Sequence, residues 1–200
     1  MLDIDFFVER HVVWARHGFL SPAECSEIMM DMTQHMSIPS TSYDEVRGAH
    51  ISKDRKTREH KVSAETHQKI INRLQGLMPE IREHFKQDIQ NIETLQFLRY
   101  PVGYFFKAHR DKVLDSGFRP RLITVVIFLN NQQKDIVPED SPDFSGGSLV
   151  FYGNLKQNIG KLGLPMRAEA GSIIAFNPQF THEVTPVSSG NRFTIITWFN

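Results

Sequence analysis

The first half of the chain carries apolar residues at the spacing of an amphipathic helix. The stripe comprises Ile70, Ile71, Leu74, Leu77, Met78, Ile81 and Phe85. Residues three and four apart lie on one face of a helix, so this pattern predicts a helix with one buried face. Ser63 is suited to its N-cap, and we expect the helix to continue to about residue 88 and to be divided by Pro79.

A second helix is predicted nearer the start of the chain. The segment SPAE places Ser21 at the N-cap, Pro22 in the first turn and Glu24 three positions after the cap, which is a helix-start pattern. This helix should run to about residue 35. Before it, residues 11–16 are β-prone and predict a strand, and after it the polar residues 37–62 predict a long loop with one short strand.

The second half of the chain is dominated by short apolar runs bounded by turn residues. The predicted strands are 93–100, 121–130, 146–153, 171–178, 182–187 and 192–199. Short strands separated by Gly, Pro, Asn or Ser are typical of an antiparallel sandwich or jelly roll. Helices followed by strands indicate an α+β chain whose N-terminal helices pack on one face of the sheet. We expect a single domain over residues 1–200, with a helical support region to about residue 92 and a β-core over 93–200.

Composition narrows the class of protein. Of 200 residues, 40% are hydrophobic and 23% are charged, and 23 acidic side chains balance 23 basic ones. This balance argues against a general attraction to nucleic acid or to an anionic membrane. The single cysteine, Cys25, cannot form an internal disulfide, and the sequence has neither a secretory signal nor a run of about 18 apolar residues. We therefore expect a cytoplasmic protein without nucleic-acid or membrane partners, and the oligomeric state is not indicated.

Candidate chemistry begins in the segment FFKAHRDKV, residues 105–113. His109 and Asp111 are two positions apart, so in an extended segment both side chains lie on one face and can reach one ion. Among nine histidines, His182 is the best third ligand because it opens the β-prone segment HEVTPV. Two histidines and one carboxylate match the facial triad of non-haem Fe(II) oxygenases. The alternative is a hydrogen-bonded His–Asp pair on a surface strand.

Arg192 adds a second feature. It lies ten residues after His182, beyond the turn PVSSGN, in an apolar strand pattern. An unpaired buried charge is unfavourable, so this guanidinium needs a carboxylate partner. A dicarboxylic co-substrate would supply one. The alternative is a structural salt bridge to a carboxylate of the protein.

These pieces resemble the 2-oxoglutarate/Fe(II)-dependent dioxygenase superfamily, specifically its prolyl 4-hydroxylase-like branch. The matching segments are LRYPVGYFFKAHRD, RLITVVIFLN, GGSLVFYG, AGSIIAFNP and HEVTPVSSGNRFTIITWF. They occur in the family's order over residues 93–200, and GFLSPAEC resembles the opening of that branch's helical part. The resemblance implies a double-stranded β-helix core, which is a jelly roll.

The resemblance also implies roles for individual residues. His109, Asp111 and His182 match the iron ligands at the catalytic centre. Arg192 matches the basic residue that holds the distal carboxylate of 2-oxoglutarate. Tyr100 matches a tyrosine that lines the same co-substrate pocket.

One position departs from the family's pattern. Phe128 stands where several relatives have a tyrosine that hydrogen-bonds the co-substrate carboxylate, so Thr124 or Thr194 is expected to compensate. Arg119 and Arg121 lie beside the strand that leads from the site and are the candidate substrate contacts.

The implied activity is hydroxylation of an unactivated C–H bond, with succinate and CO2 as by-products. Fe(II), 2-oxoglutarate and O2 are required, with ascorbate as a supporting reductant. The prime substrate is open between a peptidyl residue such as proline and a small metabolite or amino acid, under the candidate lid loops 40–60 and 131–145. The alternative from another class is a non-catalytic β-barrel binding module with a structural metal.

Overall fold

The computed structural model describes residues 1–44, 48–111, 120–152 and 163–200. Its helices are α1 (Ile4–Glu9), α2 (Pro22–Gln34) and α3 (Ala64–Phe85). The strands of the first half are β1 (Trp14–Arg16), β2 (Ser37–Pro39), β3 (Ser42–Asp44), β4 (Gly48–His50), β5 (Arg55–Lys56), β6 (Arg58–His60) and β7 (Gln96–Tyr100). The later strands are β8 (Phe105–His109), β9 (Ile123–Phe128), β10 (Gln132–Gln133), β11 (Phe144–Gly146), β12 (Leu149–Tyr152), β13 (Gly163–Met166), β14 (Ile173–Phe176), β15 (Thr181–Val184), β16 (Val187–Gly190) and β17 (Arg192–Phe199).

Helices α2 and α3 begin at the predicted caps. Ser21 Oγ accepts the Glu24 N–H at 3.2 Å, and the Glu24 carboxylate accepts the Ser21 N–H at 2.9 Å. This reciprocal pair satisfies two N–H groups at a helix start, where the backbone has no partners of its own. Ser63 caps α3 in a similar way by accepting the Thr66 N–H.

The predicted division of α3 at Pro79 is wrong, because the helix continues through this residue to Phe85. A proline in a helix interior removes a backbone hydrogen bond and costs about 3 kcal/mol. Leu74, Met78 and Ile81 are buried on both sides of it, and complete burial of one such side chain contributes about 1.5–3 kcal/mol. Packing of the apolar stripe therefore outweighs the local preference.

Each of the strand segments predicted over residues 93–199 contains a strand in the structure, so these predictions are confirmed. Residues 37–62 differ from the prediction, because their described part holds five short strands (β2 to β6) instead of one. Strands β2 and β6 extend one sheet and β5 extends another. These strands add to one side of each sheet, next to β7 in the major sheet and β8 in the minor sheet, so the polar segments form strands by pairing rather than by their own propensity.

Two main sheets pack face to face. The major sheet has the order β1-β14-β9-β17-β7-β6-β2, and the minor sheet has the order β13-β12-β15-β8-β5. One buried cluster joins them, with Leu98, Phe128 and Phe176 from the major sheet and Phe151 and Val184 from the minor sheet. This sandwich is the predicted jelly-roll core.

The other face of the major sheet carries a second buried cluster. Ile28 of α2 and Leu74 of α3 lie there with Ile127 and Ile195 of the sheet. Side chains alternate along a strand, so each inner strand sends every second residue into each cluster. Ile4 of α1 lies in the cluster between the sheets, so α1 does not share the face of α2 and α3.

The segment 131–145 is tied to its neighbours. Strands β10 and β11 within it pair in parallel, and β11 also pairs with β16. The Val137 N–H donates to Ser189 Oγ at 2.9 Å. No helix in the described ranges is long and apolar enough to cross a membrane.

Candidate metal centre

Three side chains converge between the sheets: His109 from β8, His182 from β15, and Asp111 from just after the end of β8. His109 ends β8 and lies directly opposite His182 of β15 in the antiparallel pairing. Asp111 follows β8 and is fixed by its backbone N–H, which donates to the Pro178 carbonyl at 2.9 Å. One ligand atom from each of the three lies within 4.8 Å of the others. The predicted metal constellation is therefore assembled by the pairing of β8 with β15.

The two imidazoles are held in the tautomer that a metal needs. His109 Nδ1 lies 2.8 Å from the Lys107 carbonyl oxygen, and His182 Nδ1 lies 2.9 Å from the Phe180 carbonyl oxygen. A carbonyl only accepts, so in both rings Nδ1 carries the proton. The lone pair is then on Nε2, and each Nε2 faces Asp111, at 3.4 Å and 3.5 Å. Such backbone contacts fix ring orientation in metal sites.

Asp111 is a buried carboxylate that stays ionised. Burial alone would raise its pKa, but attraction to His182 and His109 outweighs burial and holds the pKa well below its usual range. Thr124 Oγ1 donates to Asp111 Oδ2 at 2.9 Å, and the Trp198 indole also favours the charged form. A deprotonated carboxylate is the form that binds a cation.

Burial and the carboxylate of Asp111 shift the pKa of His182 in opposite directions. Desolvation lowers its pKa, and Asp111 opposes this shift while His109 adds to it. The net result is a neutral ring near neutral pH, which is the metal-binding form. Phe151 and Phe176 pack on this imidazole, with ring centroids at 6.3 Å and 5.0 Å.

An irregularity in β8 aligns an aromatic ring with His109. His182 pairs with His109 and Val184 pairs with Phe106, so three steps along β8 match two steps along β15. The extra residue places Phe106 and His109 on one face, where their rings stack at 3.5 Å with an interplanar angle of 14°. Arg55 of the neighbouring edge strand lies over the Phe106 ring at 4.9 Å.

Arg192 is a fully buried cation without a described counter-charge. It is 1% exposed, and its Nη1 donates to Thr194 Oγ1 at 3.3 Å. Its Nε has no hydrogen-bond partner in the described part of the chain, and no described carboxylate forms an ion pair with it. Burial lowers its pKa. An arrangement of this kind is unfavourable unless an anion binds there.

The surroundings of Arg192 form an aromatic pocket on the inner face of the major sheet. Its guanidinium carbon lies 4.9 Å from the Tyr100 ring and 5.9 Å from the Phe128 ring. Tyr100 is directly opposite Arg192 in the strand pairing, and its buried hydroxyl has no described hydrogen-bond partner. Gly147 has a φ of +58°, and a Cβ there would approach Arg192 Cδ to 3.2 Å. A glycine at this position therefore leaves room for the arginine side chain.

The remaining predicted residues fall into different environments. Thr194 contacts Arg192, whereas the Thr124 hydroxyl is directed to Asp111 rather than to the arginine pocket. Arg121 is engaged in the fold, because Glu93 accepts from its Nε at 3.0 Å and from its Nη2 at 2.9 Å. Arg119 lies outside the described residues.

Sequence reasoning missed two contributors. Trp198 helps to lower the pKa of Asp111. Arg121 lies over the Trp198 ring, 3.5 Å from its centroid. The period-two alternation from Arg192 to Trp198 could have indicated a shared face. Arg55 lies in the segment 37–62, for which the sequence predicts a loop with one short strand, and the pairing of β5 with β8 brings it to Phe106.

The residues present fit the groups that the family resemblance implies. Two imidazole nitrogens and a carboxylate suit Fe(II) and leave coordination positions open. Arg192 Nε and the Tyr100 hydroxyl are buried donors without a hydrogen-bond partner among the described residues, which suits a carboxylate of a small dicarboxylic acid. His109, Asp111 and His182 would hold the metal, and Arg192 would hold the acid.

Comparison with known proteins agrees with this geometry. Residues 95–200 match the model of the 2OG-Fe(II) oxygenase superfamily. The chain is 26% identical to prolyl 4-hydroxylase 5 of Arabidopsis thaliana over 92% of its own length, and 28% identical to a putative prolyl 4-hydroxylase of Acanthamoeba polyphaga mimivirus over 62%. It spans 66% and 51% of the lengths of these two relatives.

Solved structures share the fold. A prolyl-4-hydroxylase of Pseudomonas putida superposes with a TM-score of 0.67 at 20% identity, covering 98% of this chain and 95% of that one. A prolyl hydroxylase of Trichoplax adhaerens, solved with a hypoxia inducible factor peptide fragment, gives a TM-score of 0.67 at 17% identity over 97% and 86% of the two chains.

Proposed function

Because the chain belongs to the 2OG-Fe(II) oxygenase superfamily, we propose that it is an Fe(II)- and 2-oxoglutarate-dependent hydroxylase of the prolyl 4-hydroxylase-like branch. The observation that carries the proposal is the buried guanidinium of Arg192, which has no ion-pair partner among the described residues, in the same inter-sheet space as His109, Asp111 and His182. A structural metal site does not require a second group nearby that binds an anion. This pairing therefore favours catalysis over a non-catalytic metal-binding module.

The chain supplies geometry and the iron supplies the oxidation. When bound together, Fe(II), 2-oxoglutarate and O2 supply the chemistry that hydroxylates an unactivated C–H bond and releases succinate and CO2. His109 and His182 present Nε2 lone pairs, and Asp111 presents a carboxylate oriented by Thr124. These contacts fix the ligands before any metal arrives, which reduces the reorganisation that binding requires.

The arginine pocket orients the co-substrate. Arg192 would pair with its distal carboxylate, with the Tyr100 hydroxyl as a further donor. Phe128 contributes apolar wall in place of a hydroxyl, and Thr194 supports the guanidinium directly. The aromatic lining excludes water, which strengthens the charge pairing and protects the reaction from side chemistry.

For the prime substrate we favour a prolyl residue in a peptide. The relatives named above are prolyl hydroxylases, and the Trichoplax protein binds a peptide fragment. A small metabolite or free amino acid is the second candidate. We include ascorbate as a supporting reductant. We also propose that residues 1–200 form one domain, in which α2 and α3 support the major sheet. A reducing compartment such as the cytoplasm suits Cys25, whose pKa burial raises to about 11.

Succinate formation tests the reaction class. The wild-type protein, supplied with Fe(II), ascorbate, O2 and 2-oxoglutarate, should release succinate, and His109→Ala should not. Mass spectrometry of peptide mixtures and metabolite extracts should then reveal a product heavier by one oxygen atom in one of the two. Tight zinc binding with no iron-dependent turnover in either mixture would favour the non-catalytic module.

A further inference from the structure

A basic groove lies along the outer edge of the minor sheet. It encloses about 240 Å³, and its lining includes Lys53, Arg55, Lys56, Arg58, Tyr104 and Phe105. Strand β5 forms this edge and pairs with β8, the strand that ends at His109. Four cationic side chains therefore gather beside the strand that delivers a metal ligand.

The two arginines of the groove are committed to the fold. Arg55 is buried and donates to the Thr41 carbonyl at 2.9 Å and to Gln96 Oε1 at 3.0 Å. Arg58 donates to Ser37 through Nε at 2.8 Å and through Nη2 at 2.9 Å. Both side chains thus add positive potential from fixed positions. Direct contact with a ligand in the groove is then left to the lysines.

The two lysines are exposed and carry no described ion pair. Lys56 Nζ lies 4.6 Å from the centroid of the Tyr104 ring, which holds the ammonium at the groove. Two carboxylates lie near these lysines in the chain, and the described ion pairs join neither of them to Lys53 or Lys56. Asp54 pairs with Lys107 Nζ at 2.7 Å. Burial raises the pKa of Glu59, and attraction to Arg55 opposes the shift.

Apolar surface accompanies these charges. Ile51 lines the groove and is 71% exposed. Ile38 on the adjoining edge strand β2 is 53% exposed. A surface with both free ammonium groups and exposed aliphatic side chains is complementary to a peptide with acidic and apolar residues.

We propose that this groove binds an acidic side chain of the peptide substrate, at a fixed spacing from the residue that is hydroxylated. The inference rests on the proposed function and adds the class of substrate. Phe105, which lines the groove, is four residues before His109, and the extra residue between Phe106 and His109 shortens this stretch to three regular strand steps, or about 10 Å. An extended peptide advances about 3.3–3.6 Å per residue, so the acidic residue lies about two to four positions from the reacting one.

A peptide selection tests the inference. The probe is a synthetic library with a central proline and five randomised positions on each side, retained without O2 on protein loaded with Fe(II) and 2-oxoglutarate. The protein forms are wild type, the double variant Lys53→Gln/Lys56→Gln, and the control Lys86→Gln/Lys134→Gln. The control removes the same charge from two exposed lysines outside the groove. Equal melting temperatures establish that all three are folded.

Retained peptides should be enriched in Asp and Glu over Asn and Gln at about two to four positions from the proline. A selected peptide should lose about three- to tenfold in affinity when that residue becomes its amide, and the difference should shrink at high salt. The control should preserve the enrichment and the groove variant should abolish it. No acidic enrichment in the wild type, no retention of any peptide, or enrichment that persists in the groove variant overturns the inference.

The proposed function is judged separately after O2 is admitted to the same protein preparations. Succinate released from 2-oxoglutarate in the presence of the peptide library reports the oxygenase chemistry. Acidic enrichment without succinate would leave the groove standing and reject the oxygenase proposal, whereas succinate without enrichment would do the reverse.

Discussion

Replacement of Thr124 by valine isolates the hydrogen bond that orients Asp111. Thr124 Oγ1 donates to Asp111 Oδ2 at 2.9 Å, and the two side chains are 1% and 8% exposed. Valine has nearly the same shape as threonine but no donor. Hydrogen bonds to charged groups contribute about 1.5–3 kcal/mol, and loss of a partner that orients a metal ligand typically weakens metal affinity or activity by about 10- to 100-fold.

The assay is a calorimetric titration of the metal-free protein with Fe(II) under anaerobic conditions. Thr124→Val should bind the metal about 10- to 100-fold more weakly than wild type. Thr197→Val is the matched control, because Thr197 is also fully buried and donates to the Glu93 carbonyl at 2.7 Å from the face of β17 opposite to Trp198. The control should lose about 1 kcal/mol of stability and keep its metal affinity. Wild-type affinity in Thr124→Val, or equal losses in both variants, would refute the orienting role.

Two further predictions concern the fold. A backbone hydrogen bond from Ser21 is the main cause that lowers the pKa of Glu24 from 4.5 to about 2; since the folded pKa is depressed, the stabilisation is complete above pH 4.5 and is lost as pH falls toward 2. Glu24→Gln should therefore lower the free energy of unfolding by about 1–2 kcal/mol at pH 7 and by progressively less in acid, and a pH-independent difference in urea melts would contradict this. Gly171→Ala should destabilise by more than about 2 kcal/mol, because φ is +78° and the new Cβ would collide with the Leu20 carbonyl oxygen. Gly76→Ala, at an open helical position, should instead stabilise by about 1 kcal/mol, and similar melting shifts in both variants would contradict the assignment.

Local patterns sufficed for much of the fold because they report which faces are buried. The caps at Ser21 and Ser63 and the strands of the second half follow from residue type and alternation. The failures arise where tertiary contacts override local preference. Pro79 is carried through α3 by the burial around it, and residues 37–62 become strands because sheet edges are available to them.

At the candidate site, the sequence indicates which side chains lie together better than it indicates their contacts. Residue types and spacing singled out His109, Asp111 and His182, which the fold brings together. The partner of a hydroxyl is set by three-dimensional register, so the sequence could not direct Thr124 to Asp111. The sequence also does not indicate that Glu93, which precedes β7, accepts hydrogen bonds from Arg121.

The most direct test of the central claim is the affinity of the protein for 2-oxoglutarate, measured without O2 and with or without Fe(II). Wild-type protein should bind the acid tightly only when the metal is present. Arg192→Met should weaken this binding by about 100-fold or more, since a buried charge pair loses one partner, while its affinity for Fe(II) is unchanged. Metal-independent binding, or wild-type affinity for the acid in Arg192→Met, would contradict the shared site.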